Sequence, residues 1–206
     1  MSNYVISFAM MTRLPLYLDY LMTLESKGIQ NVSATMLARD MGLGEVLVRK
    51  ELSVISGKGR PRIGYKTSTL IKDFDSFLHV NKKTTAIIVG AGKLGKALLG
   101  YDQFKKFGVD ILAAFDTDKK VIDNKKIFSI DSLPDFIKKH KIKIGIITVP
   151  KEHAIKTYNL LVDNGIKGIW SFAPVALKKV PGVVVKQPNL ALSLAHLNIM
   201  LRNENE

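Results

Sequence analysis

Six residues, Gly90-Ala91-Gly92-Lys93-Leu94-Gly95, follow the apolar run Ala86 to Val89 and open a segment carrying Leu94, Ala97, Leu98 and Leu99. This is a G-x-G-x-x-G turn between a strand and a helix. The first glycine of such a turn permits a tight bend, the second lets backbone approach a pyrophosphate, and the third lets helix and strand pack closely. Phosphate oxygens would meet the free N–H groups and the positive dipole of the helix start. A second apolar run, Val109 to Phe115, ends at Asp116, twenty-one residues past Gly95. A carboxylate there accepts from both hydroxyls of a ribose and repels a 2′-phosphate, which favours NAD over NADP. The competing reading has Asp116 or Asp118 simply capping a turn. Thr148-Val149-Pro150 and Phe172-Ala173-Pro174 fall at the carboxyl ends of two further apolar runs, Ile142 to Val149 and Ile166 to Phe172. Open α/β sheets place ligands there, although plain turn chemistry also suits both triplets.

A second chemistry lies upstream. Between Arg49 and Lys66, six cations (Arg49, Lys50, Lys58, Arg60, Arg62, Lys66) stand against one acid, Glu51. The spacing predicts a helix over 45–55 whose inner face is Val48, Leu52 and Ile55, leaving Glu45, Val46, Arg49, Lys50 and Ser53 outward. An outward face with Arg and Lys can read bases or bind phosphates, and it can equally be an ordinary solvated face. The next stretch, Ser56 to Tyr65, sets glycines at 57, 59 and 64 around Lys58, Arg60 and Arg62, and reads as a hairpin or wing. Arginines flanking Pro61 suit a narrow minor groove, so helix, wing and charge together point to double-stranded DNA.

The elements that position these groups fall in two sets. Residues 1–80 predict a helix over 12–27 capped by Thr12 with Pro15 in its first turn, a second from Ser33 to Gly42, the helix over 45–55, and a fourth over 68–80. Two short helices about a glycine turn make a helix-turn-helix. Asn81-Lys82-Lys83 reads as the boundary. From residue 84, strands and helices alternate, with helices near 132–140 and 152–164 and a short strand at 183–185. The fold class is therefore α/β, an N-terminal winged helix-turn-helix domain (1–80) before a Rossmann-like dinucleotide-binding domain (84–188). A last helix, 189–206, carries Leu190, Leu192, Leu194, Leu197, Ile199, Met200 and Leu201, apolar on nearly all sides. That predicts burial, against the chain's own sheet or against a partner subunit.

Composition narrows the classes. The 206 residues contain no cysteine, which excludes disulfides, thiolate catalysis and thiolate metal sites. The four histidines (His79, His140, His153, His196) lack metal-like spacing, so no metal is expected. No apolar run is long enough to span a bilayer and no signal peptide opens the chain, which reads as cytoplasmic. The net charge is +13, yet residues 1–80 hold 10 Lys/Arg against 7 Asp/Glu, and 81–206 hold 21 against 11. The local stripe is thus the sharper sign, and pairs such as Lys105-Lys106, Lys119-Lys120, Lys125-Lys126 and Lys138-Lys139 read as solvated surface.

Across essentially its whole length the chain resembles the Rex family of redox-sensing repressors. The resemblance rests on RLPLYLDYL (13–21), LVRKELS (47–53), GY (64–65), VGAGKLGKALLGY (89–101), AAFDTD (113–118), TVP (148–150) and FAP (172–174). It implies a homodimer on palindromic operator DNA, an NAD(H)-binding domain, a last helix swapped between subunits, and repression lifted when NADH replaces NAD⁺. It also implies a switch in which an acid at the start of the last helix pairs with the arginine of the first helix or a tyrosine after the glycine turn. Those positions match Asn189, Arg13 and Tyr101, so the ionic version cannot form. The wing, VISGKGRPR over 54–62, and Lys93 in the glycine turn depart from the family's usual residues. An apolar pocket near Tyr101 and Pro174 would favour neutral, reduced nicotinamide. Two other readings stand beside this one. One is an NAD-dependent dehydrogenase, for which no proton-transfer constellation is recognisable; the other is a DNA-binding regulator whose second domain is structural or binds another nucleotide.

Overall fold

A computed structural model describes residues 7–78, 83–118, 121–123 and 125–203. His79, Val80, the Asn81-Lys82 part of the expected boundary, and Lys119-Lys120 lie outside the described residues. The chain forms two compact units, Met1–Lys82 and Lys83–Glu206.

In the first unit, helix α1 spans Phe8–Ser26. It starts one turn before the expected Thr12, because the Ser7 hydroxyl accepts the Met10 N–H at 3.1 Å. Thr12 is no cap; its hydroxyl donates to Ala9 O at 2.8 Å, and Pro15 stands beyond the first turn. Strand β1 (Asn31–Val32) leads into α2 (Ala34–Asp40), capped as expected by Ser33, whose hydroxyl accepts from Met36 N–H at 3.0 Å. After Gly42 comes α3 (Glu45–Ser56), then β2 (Tyr65–Lys66) and α4 (Thr67–Leu78). The two-residue strands pair antiparallel, Val32 with Tyr65 and Asn31 with Lys66. One apolar cluster unites Leu14, Tyr17, Leu18 and Leu21 of α1 with Leu37, Val48, Leu52, Leu70 and Phe74, so every helix buries one stripe.

The second unit runs β3 (Thr84–Val89), α5 (Lys93–Leu99), α6 (Gln103–Lys106), β4 (Val109–Asp116), β5 (Ile127–Ser129), a 3₁₀ turn (Ile130–Ser132), α7 (Leu133–His140), β6 (Ile144–Ile147), α8 (Lys151–Asp163), β7 (Gly168–Ser171), β8 (Val184–Lys186) and α9 (Leu190–Asn203). The six strands β3 to β8 form one parallel sheet, ordered β5-β4-β3-β6-β7-β8. The order reverses between β3 and β6, and ligands of doubly wound sheets bind outside the strand ends at such a point. Alternate side chains feed opposite layers. Ile87, Val89, Phe115 and Ile147 pack with Leu133, Ile137, Tyr158 and Leu161, while Ala86, Ile88 and Ile146 pack with Leu98, Leu99 and Trp170.

The expected burial of the last helix is not met within the chain. Its seven large apolar residues, Leu190 to Leu201, are each at least half exposed, up to 68% at Leu194. The chain's own sheet therefore does not cover them.

Candidate functional site

The glycine turn is held from both sides. Gly90 N–H donates to Phe115 O at 2.8 Å, and the Thr148 hydroxyl donates to Gly90 O at 2.7 Å. Gly90 has φ +104°, and a Cβ there would meet the Thr148 carbonyl at 2.8–2.9 Å. At Gly95 a Cβ would stand 1.9 Å from Gly90 O, so only glycine lets α5 start this close to the strand end. Gly92 has open space around its Cα, on the side where backbone can approach a ligand. Asp116, at the end of β4, accepts the Ala91 N–H on Oδ2 at 2.5 Å and the Asp118 N–H on Oδ1 at 2.9 Å. Both carboxylate oxygens thus tie the end of β4 to the turns around it, the capping contacts of the competing reading, and the same carboxylate stands beside the glycine turn.

A cleft of about 860 Å³ opens at this point. Gly90, Gly92, Asp116, Thr148, Val149 and Pro150 line it, all foreseen from sequence. Ile130, Pro134, His153, Lys156, Thr157 and Leu160 also line it and were not foreseen. Ile130 and Pro134 follow β5, a three-residue strand without a readable apolar run, and the others lie on α8, whose inward face the sequence does not declare. Ala91, Lys93, Leu94 and Gly95 build the turn and the first turn of α5. Tyr101 and Phe172 belong elsewhere, in a chain of rings: Tyr101 meets Phe104 (5.1 Å) and Phe104 meets Trp170 (5.7 Å) edge-on, and Trp170 meets Phe172 (4.6 Å) at a tilt. Ala173 is buried and Pro174 exposed. The structure thus splits the expected dinucleotide residues into two groups, and Tyr101 and Pro174 do not line the cleft. The glycines, the start of α5 and the carboxylate fit the adenosine-diphosphate half of a dinucleotide.

The first unit carries a groove of about 760 Å³. From α3 it takes Val46, Arg49, Lys50 and Ser53; from the next segment Lys58, Gly59, Arg60, Pro61 and Arg62; and from the start of α2 Ser33, Ala34 and Thr35. The segment is a hairpin, as expected: Arg60 and Gly64 exchange N–H···O bonds of 2.8 Å each way. At its tip Arg62 adopts φ 62°. Glu45, expected among the outward residues, pairs with the exposed Arg49 one turn on and does not line the groove.

The inner face of α3 holds a group that sequence reading passed over. Glu51, 4% exposed, accepts from both Arg13 Nε (3.2 Å) and Arg13 Nη2, and from the Tyr17 hydroxyl at 2.6 Å. The hydrogen bond to Glu51 raises the Arg13 pKa, while burial first and that acceptor second push the Tyr17 phenol well above its ordinary value. The expected switch residues thus each have partners within the chain: Arg13 has Glu51, Tyr101 has Phe104, and Asn189 Oδ1 caps α9 by accepting Leu192 N–H at 2.8 Å.

Among the described residues no cluster of His, Asp or Glu is arranged to hold a metal ion, and no helix is long and apolar enough to cross a membrane.

Two family models match, a CoA binding domain over residues 81–175 and a putative DNA-binding protein N-terminus over 5–53. The chain is 36% identical to the redox-sensing transcriptional repressor Rex of Treponema denticola, over 93% of each chain. It is 35% identical to that of Clostridium acetobutylicum (98% of this chain, 96% of the relative) and 38% to that of Clostridium botulinum (95% of each). Among solved structures it resembles RSP, a Rex-family repressor, at 31% identity with TM-scores of 0.85 alone, 0.89 in complex with β-NAD⁺ and operator DNA, and 0.86 in complex with β-NADH. Each covers 98% of this chain and 95–97% of RSP.

Proposed function

Because this chain belongs to the Rex family of redox-sensing transcriptional repressors, we propose that it represses transcription by binding operator DNA and releases that DNA when NADH binds. The observation that supports this reading is the coexistence, in one chain, of a cationic helix-and-hairpin groove and a glycine-turn cleft closed by Asp116. RSP, matched over 98% of this chain, has been solved with NAD⁺ and operator DNA and with NADH.

In this reading residues 1–80 are the winged-helix DNA-binding domain, 84–188 the NAD(H)-binding domain, and 189–206 a dimerisation helix exchanged between subunits. Arg49 and Lys50 enter successive major grooves of a palindromic operator, and Arg60 and Arg62 enter the flanking minor groove. Lys58 contacts phosphate, and Val46 and Ser53 complete the face. The N–H groups of Gly92 to Gly95, at the start of α5, hold the pyrophosphate, Asp116 holds the adenosine ribose, and Ile130, Pro134 and Leu160 offer apolar walls for the base. Asp116 disfavours the extra phosphate of NADP. Phe172, Ala173, Pro174 and Tyr101 belong to the nicotinamide side. The cofactor supplies a change of charge, since nicotinamide is cationic when oxidised and neutral when reduced. The dimer shifts between two states by as much as its affinity for the two forms differs. In the closed state the α3 helices no longer match half-sites about 34–36 Å apart. The protein works in the cytoplasm and turns over no substrate.

The test is DNA binding at fixed salt, on fragments the protein itself selects from random sequence, titrated separately with NADH and NAD⁺. Release by NADH alone is expected. Equal effects of the two forms would refute the redox reading, and steady consumption of NADH with carbonyl substrates would restore an enzyme.

A further inference from the structure

A carboxylate buried at 4% exposure on the inner face of α3 calls for a reason beyond folding. Burying an ion pair costs desolvation that its attraction roughly repays, and apolar residues of similar volume often stabilise as well or better. The neighbours of Glu51 on that face, Val48 and Leu52, are fully buried and would have accommodated one more apolar residue.

Apolar contacts are non-directional, so Val48 and Leu52 restrain the rotation of α3 about its own axis less sharply than a hydrogen-bonded group does, and the polar tie of Ser56 to Asp73 of α4 acts only at the helix end. The Glu51 carboxylate is different. Arg13 grips both of its oxygens and Tyr17 binds Oε2, so α1 holds it in one direction. Tyr17 is itself set by an edge-on contact with Phe74 of α4, centroids 6.1 Å apart. Arg49 and Lys50, the residues immediately before Glu51, line the groove on the other side of the helix. With an outer helix radius of about 5–6 Å, a rotation of about 20° moves that face by about 2 Å. Such a displacement exceeds the roughly 0.5 Å spread of a good hydrogen-bond length. Base contacts would be lost while phosphate contacts, made by long flexible cations, would adjust.

We propose that Glu51, gripped by Arg13 and Tyr17, is a positioning residue that sets the rotation of α3 and hence its discrimination between operator and random DNA. The inference rests on the DNA-binding reading above. Its signature is a change in specificity without a matching change in stability.

The experiment uses the full chain and the apolar triple variant Arg13→Met, Tyr17→Phe, Glu51→Leu, which removes all three partners and leaves none orphaned. Thermal midpoint, operator affinity and random-duplex affinity are measured at one salt concentration. We expect a midpoint near that of the parent, random-duplex affinity little changed, and an operator-to-random ratio reduced about tenfold, the scale of one bidentate base contact. An unchanged ratio in the folded variant overturns the inference, as does an equal loss on both DNAs accompanied by a fallen midpoint. Should the triple variant not fold, Tyr17→Phe, which deletes only the 2.6 Å bond, reads the same ratio: a fall of about threefold, the scale of one hydrogen bond, is expected and no change refutes. A parent protein with no operator preference would sink the DNA-binding reading itself, whereas a preference kept by the variants sinks only the role of Glu51.

Discussion

Gly92 and Gly95 share one turn and face opposite demands. Gly95→Ala would press a Cβ to 1.9 Å from Gly90 O. Because backbone cannot yield as a flexible side chain does, the loss should reach or exceed the about 1–3 kcal/mol of ordinary overpacking, seen as a lowered thermal midpoint. Gly92→Ala meets nothing within 4 Å, so the midpoint should hold while calorimetric NADH binding weakens. Asp116→Ala deletes an acceptor whose hydrogen bonds are worth about 1.5–3 kcal/mol each, and should weaken NADH about tenfold or more while narrowing the preference over NADPH. Asp123 supplies the pH case: N–H groups of Ile127, Lys125 and Lys126, each 2.8 Å away, hold its pKa at about 2. A depressed folded value gives stability that is full above the unfolded value of about 3.9 and lost as pH falls toward the folded one. Melts of Asp123→Asn should therefore lose part of the acid sensitivity between about pH 4 and pH 2.

At the scale of elements, caps and short strands decide boundaries. Ser33→Ala should cost about 1 kcal/mol in thermal unfolding, because it frees the Met36 N–H at the start of α2. In the hairpin, Arg62→Gly suits φ 62° and keeps the turn, yet removes one cation; the slope of log K against log salt on DNA should become shallower by about 0.9. The early start of α1 was illegible because Pro15 reads as a first-turn residue, while Met10, 6% exposed, joins the core one turn before Thr12 and draws the helix back. Strands β1 and β2, two residues each, have no periodicity to read and exist by pairing with each other. The 45–55 helix and the 56–65 hairpin were legible because both signals are local: an i, i+4 apolar pair and a glycine-bracketed turn.

For the whole molecule, α9 is the exposed feature to explain. Seven large apolar side chains on one helix are at least half exposed, too much for a helix that stays uncovered. Replacing Leu194 and Leu197 together by Asp should convert dimers to monomers in sedimentation. The same variant should lose affinity for a palindromic operator much more than for a single half-site.

The sequence by itself determined the glycine turn, Asp116 at the end of its strand, the cationic face of α3 and the longer helices and strands, since each depends on residues within a turn or two of one another. It also limited the role of Asn189, whose amide carries no charge. Only the tertiary structure decided what stands opposite these groups. Arg13 and Glu51 are 38 residues apart, and no local spacing records that α1 lies across the inner face of α3. Ile130, Pro134 and Leu160 share a cleft with Asp116 only because β5, β4, β3 and β6 lie side by side in one parallel sheet. Tyr101 leaves the cleft for the same reason: its ring follows Phe104 and Trp170, partners chosen by packing. Burial and pairing depend on which surfaces meet, and that is a property of the folded chain.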